Sequence, residues 1–142
     1  MAYIIARVPP IDDDLADQVF AADSFIAMAN TPGIDDGEAI LVGMLQISQD
    51  PNVLVTGDKR FVAALRVHFP DVFCMIRGRL LTFEKCLRMI CDARGTAYVV
   101  DHVAKAATCD GTLRAALGTN HPCDEVSFLK ALKSFDPASD TS

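Results

Sequence analysis

Hydrophobic positions in this chain recur mostly at helical spacing, interrupted by a few apolar runs of strand length. Leu15, Val19, Ala22, Phe25, Ile26 and Ala29 fall three or four apart after Asp12-Asp13-Asp14. This pattern predicts a helix opened by carboxylates, which the helix dipole favours there, and closed near Asn30 before the breaker Thr31-Pro32-Gly33. A second helix is predicted from Asp36 to Ser48, where Ala39, Ile40, Leu41, Val42, Met44, Leu45 and Ile47 leave almost no polar face. A helix apolar all round is expected to be buried on more than one side, or against a second chain. After the turn Gln49-Asp50-Pro51-Asn52, Val53-Leu54-Val55 reads as a short interior strand. Asp58 then opens a helix with Phe61, Val62, Leu65 and Phe69 on its inner face. Pro70-Asp71 ends that helix, and Val72-Phe73-Cys74-Met75-Ile76 is expected as a second buried strand.

Tyr3 to Val8 is β-rich and reads as a further strand, stopped by Pro9-Pro10. From Leu81 onward the spacing predicts four helices, roughly 81–93, 97–107, 111–117 and 124–134, punctuated by Gly95, Gly111 and Gly118. The small, polar tail 136–142 is expected to be disordered. Strands alternating with helices in the first half argue for the α/β class with a short parallel sheet and a helical C-terminal part. No linker divides residues 1–135, so one domain is expected.

Composition adds a constraint on partners. Hydrophobic residues make up 51% of the 142, and the mean hydropathy is +0.25, high for a solitary soluble domain. A homo-oligomer or a partner protein is therefore expected. No apolar run reaches the roughly 18 residues of a membrane span, and the N-terminus lacks the form of a signal peptide. A cytoplasmic location is expected, and no membrane partner. The five cysteines (Cys74, Cys86, Cys91, Cys109, Cys123) form no Cys-x-x-Cys pair and read as reduced, buried thiols acting as small hydrophobes. His102, Cys109, His121 and Cys123 match the spacing of no familiar zinc module, and His68 reads as a surface or packing residue.

Charge is unevenly spread within the net −6. Residues 1–58 hold one cation, Arg7, against ten acids, whereas residues 59–94 hold eight cations against three acids. A basic middle could meet phosphates while the acidic part holds cations; solvated helix faces that pair with one another explain the same pattern.

The candidate chemistry lies between Gly33 and Phe61. Glu38 stands in the first turn of the 36–48 helix and Asp58 at the end of the 53–55 strand. Each has a structural explanation: Asp35-x-x-Glu38 is a capping-box pattern, and an aspartate between strand and helix is a good N-cap. Together they could form a magnesium or manganese site, because ligand crevices in open parallel sheets lie outside the carboxyl ends of the strands.

Two short motifs here resemble the PIN-domain family of metal-dependent ribonucleases. Asp36-Gly37-Glu38-Ala39-Ile40 is similar to the family's Asp-x-Gly-Glu-Ala helix start, and Val55-Thr56-Gly57-Asp58-Lys59-Arg60-Phe61 to its Thr-x-Asp-x-x-Phe signature. The resemblance spans about residues 15–76; residues 81–142 match nothing recognisable. It implies a three-layer fold and hydrolysis of an RNA phosphodiester with magnesium or manganese. Asp36, Glu38 and Asp58 would hold the metal, Glu38 and Asp58 would be the catalytic acids, and Thr56 would support Asp58. By charge alone, Lys59, Arg60 and Arg79 could contact substrate phosphates.

One family feature has no counterpart. PIN nucleases open with an apolar strand ending in an essential aspartate, and Tyr3–Val8 is separated from Asp12 by Pro9-Pro10-Ile11. The layout therefore implies an incomplete domain, a weak or degenerate active site, and sheet edges that need cover. The competing reading is a non-catalytic PIN-like interaction or oligomerisation protein. A helical DNA-binding module in residues 81–117 is opposed by sparse arginines and overall acidity.

Overall fold

The computed structural model describes residues 13–48, 51–118 and 124–139. The expected strand at Tyr3–Val8, Asp12, His121 and Cys123 lie outside them. Two compact units are present: residues 1–54 with 60–79, and residues 55–59 with 80–142. Three quarters of the described residues are helical, with one small two-stranded parallel sheet, so the architecture is broadly α/β.

In the first unit, α1 (Asp13–Phe20) and α2 (Asp23–Ala29) replace the single helix expected over this stretch. The chain breaks at Ala22, whose backbone is extended; no glycine or proline explains the break. Both helices pack on α3 (Asp36–Ile47). Ala39, Val42, Gly43 and Leu45 form the buried face of α3, while Leu41 and Ile47 stay exposed on the other side. The all-round apolar helix is thus buried on one face only.

Gly43 lets α1 approach closely. A Cβ there would stand 2.6 Å from Val19 Cγ1, and Val19 is fully buried. Gly43→Ala is therefore expected to destabilise by about 1–3 kcal/mol through overpacking, with much of the loss recovered in Val19→Ala/Gly43→Ala. Urea melts of the two variants check this.

After α3 come β1 (Leu54–Thr56), α4 (Lys59–His68) and α5 (Pro70–Ile76). Phe61, Val62 and Leu65 are the buried positions of α4, as the spacing predicts. The strand expected at Val72–Ile76 is instead the body of α5. Five apolar residues in a row do not distinguish a strand from a helix turn. Here Pro70 occupies the first turn, where its missing N–H costs nothing, and burial falls on Phe73 and Ile76, three apart.

The partner of β1 is β2 (Leu80–Thr82), reached through a 3-10 turn at Arg77–Arg79. The second unit then runs through α6 (Phe83–Arg94), α7 (Thr96–Val103), a 3-10 segment (Ala104–Thr108), α8 (Gly111–Leu117) and α9 (Glu125–Phe135). These bounds follow the four predicted helices within a few residues. Gly95 separates α6 from α7 with φ 88°, a left-handed value that a side chain resists. Leu87, Cys91, Val99, Leu113, Ala116, Leu117, Phe128 and Leu132 make the core of this unit.

Candidate functional site

Asp36 and Glu38 belong to the first unit and Asp58 to the second. At the start of α3 the capping box is complete. Asp35 Oδ1 accepts the Glu38 N–H at 2.7 Å, and Glu38 Oε2 accepts the Asp35 N–H at 3.0 Å. Asp36 is exposed in the same turn. The Glu38 carboxylate therefore has a structural duty, and a carboxylate keeps further lone pairs beyond one cap bond.

Asp58 follows β1 and is half-buried, and its N–H donates to Thr56 Oγ1 at 3.0 Å. The Thr56 side chain thus closes a short turn around Gly57 and fixes the backbone that carries Asp58. Arg60, in the first turn of α4, is exposed.

Lys59 and Arg79 have internal partners. The Lys59 ammonium lies 2.7 Å from Glu84 Oε1, donates to Thr112 Oγ1 at 2.8 Å, and stands 5.5 Å from the centre of the Phe135 ring. Its side chain is 37% exposed, whereas that of Glu84 is 2% exposed. Glu84 Oε1 receives no well-directed hydrogen bond, so the nearby ammonium is what offsets its charge. Arg79 Nη2 donates to Leu45 O at 2.6 Å, satisfying one of the carbonyls left without an intrahelical partner in the last turn of α3.

Beside this ion pair, Thr82 Oγ1 donates to Asp136 Oδ1 at 2.9 Å, and Asp136 Oδ1 also accepts the Ala138 N–H at 3.0 Å. Thr82 is 1% exposed and Asp136 6%. The tail expected to be disordered from residue 136 is therefore tied down through Ser139, whose hydroxyl donates to Lys133 O at 3.1 Å.

Neither motif points to Glu84, Thr112, Thr82 or Asp136. A signal for Glu84 did exist. On the helix predicted over 81–93 it stands three residues before Leu87 and seven before Cys91, so one charge interrupts an otherwise apolar face. Thr112 and Asp136 carried no such signal, because their partners are distant in sequence.

Elsewhere, Thr96 Oγ1 donates to Glu125 Oε1 at 2.8 Å. Burial pushes the Cys91 thiol above its ordinary range, and the adjacent Thr96 hydroxyl partly offsets this. Cys91 is thus an inert core thiol, while Cys74 and Cys109 are exposed. His68 is a surface residue.

Among the described residues, no group of three or more His, Cys, Asp or Glu side chains could hold a metal ion. Carboxylate oxygens, such as those of Asp58 or Glu38, are the donor type that a hard divalent ion takes. Magnesium retains several waters and is commonly bound through one or two carboxylates together with substrate phosphates. No helix among the described residues is long and apolar enough to cross a membrane. No protein-family profile, no curated protein and no solved structure matches this chain.

Proposed function

We propose that this chain is a PIN-like, metal-dependent ribonuclease with a reduced active site and weak activity. The observation that carries the reading is the order of two motifs, Asp36-Gly37-Glu38-Ala39-Ile40 and Thr56-Gly57-Asp58-Lys59-Arg60-Phe61, with Asp58 directly after a parallel strand. By the motif resemblance, Asp58, Glu38 and Asp36 are the carboxylates that would hold magnesium or manganese. The bound ion would lower the pKa of the attacking water and neutralise charge at the phosphoryl group. Thr56 holds the backbone of Asp58 through the bond to its N–H. Arg60 offers an exposed cation to the RNA backbone.

The direct test is cleavage of RNA with added magnesium or manganese. Asp58→Asn and Glu38→Gln are each expected to lower the metal-dependent rate by about a hundredfold or more. Unchanged cleavage in both variants overturns the reading.

A second reading, a non-catalytic partner or self-association protein, is favoured by one feature of the first unit. An open groove of about 210 Å³ is lined by Leu41, Met44, Leu45, Asn52, Val53 and Leu54. Leu41 is 44% and Val53 54% exposed there. A stable oligomer by light scattering, together with a melting temperature indifferent to manganese, selects this reading over the nuclease.

A further inference from the structure

We infer that residues 135–139 form a strap over the polar rim at the carboxyl ends of β1 and β2. The strap releases as a unit and uncovers Lys59, Thr82 and Glu84. This goes beyond the nuclease reading and does not rest on it, and every residue involved belongs to the second unit.

The rim is polar where a core would be apolar. β1 and β2 run parallel, and open α/β sheets take their ligands in the crevice beyond the carboxyl ends of such strands. Thr82 closes β2, Glu84 stands in the first turn of α6, and Lys59 opens α4 three residues after β1. Thr82 is 1%, Glu84 2% and Asp136 6% exposed, three of the four polar or charged residues buried among the described ones. Enclosing such groups costs stability that an apolar cluster of the same size avoids, so packing alone does not account for them.

What encloses them is the end of α9 and the turn that follows. Asp136 Oδ1 accepts from Thr82 Oγ1 at 2.9 Å and from the Ala138 N–H at 3.0 Å. The Phe135 ring centre stands 5.5 Å from the Lys59 ammonium. The turn is also closed on itself. The Ser139 N–H donates to Asp136 O at 3.1 Å, and the Ser139 hydroxyl donates to Lys133 O and Asp136 O. Its ties to the rim differ in kind from those of the helix before it. Phe128 and Leu132, at 0% and 1% exposure, anchor α9 in the apolar core, whereas Phe135, three residues on, is 37% exposed. The bond to Thr82 and the contact with Lys59 are polar, and a segment tied in this way can open locally while the core stays closed.

The test uses no metal and no RNA. Acetylation by a water-soluble amine reagent, read peptide by peptide, reports access to Lys59, with exposed Lys105 as the standard. A chain ending at Ser134 is expected to keep its helical circular dichroism and to acetylate Lys59 about tenfold faster relative to Lys105. Asp136→Ala is expected to act in the same direction. Asp136→Asn keeps an oxygen for the Thr82 hydroxyl and is expected to stay within about twofold of wild type. In the wild-type protein the Ala138 and Ser139 amides are expected to exchange with deuterium through one shared opening. Their exchange should be about a hundredfold faster than that of the Phe128 amide, which is bonded to Asp124 O.

A chain ending at Ser134 that has lost its fold makes these residues part of the core and overturns the inference. A folded one whose Lys59 reacts at the wild-type rate overturns it too, as do Ala138 and Ser139 amides protected as well as that of Phe128. Asp136→Ala with wild-type reactivity overturns it whatever the shortened chain does.

Discussion

Phe128→Ala is expected to lower stability by about 3–5 kcal/mol, the range for deleting a fully enclosed phenylalanine and leaving a cavity. Phe128 is 0% exposed and packs in the cluster of Leu87, Cys91, Val99, Leu113, Leu117 and Leu132, contributed by α6, α7, α8 and α9. The cost combines the lost transfer free energy of the ring with the contacts its neighbours forfeit, because helices on several sides cannot all collapse into the space. Val126→Ala on the same helix is the control. Val126 is 74% exposed, so its substitution should stay within about 0.5 kcal/mol. Denaturant melts that find the two variants equally stable would remove Phe128 from the centre of this core.

Lys59→Met is expected to destabilise by about 2–4 kcal/mol, because it strands the carboxylate of Glu84 in a site that excludes water. The figure lies below the upper limit for a wholly buried pair, since Lys59 itself is 37% exposed and water can approach from its side. The bond to Thr112 is lost as well. Lys59→Met/Glu84→Leu should regain most of the stability, because replacing both charges with apolar groups of similar size removes the desolvation penalty instead of leaving half of it. A double-mutant cycle that finds additive effects would mean that the two residues do not interact in solution.

Both predictions concern contacts that join elements far apart in the chain, and this is where sequence reading was weakest. Where a pattern is local it was legible. The inner face of α4 at Phe61, Val62 and Leu65, the bounds of α8, and the Asp35–Glu38 capping box all follow from spacing or from a side chain reaching its own helix end. Where two periods fit the same residues it failed. Val72–Ile76 satisfies a strand and a helix turn equally, and only the burial of Phe73 and Ile76 separates them. The mistaken strand also displaced the partner of β1, which is Leu80–Thr82.

The candidate site divides along the same line. Asp36, Glu38, Thr56 and Asp58 could be singled out because two short motifs carry them. The assignment of Lys59 and Arg79 as phosphate contacts rested on charge, which takes no account of partners. In the fold Lys59 faces Glu84, and Arg79 donates to a carbonyl at the end of α3.

By itself the sequence determined the inner face of α4, the bounds of α8, the capping of α3 and the position of Asp58 at a strand end, since each depends on residues within about four positions of one another. Only the tertiary structure decided which charges are held internally. Lys59 meets Thr112 across 53 residues and Thr82 meets Asp136 across 54, and no periodicity encodes such pairings. The physical reason is that a charged side chain is defined by what surrounds it. In a solvated helix face Glu84 would be one acid among many; at 2% exposure beside the Lys59 ammonium it is the enclosed half of an ion pair.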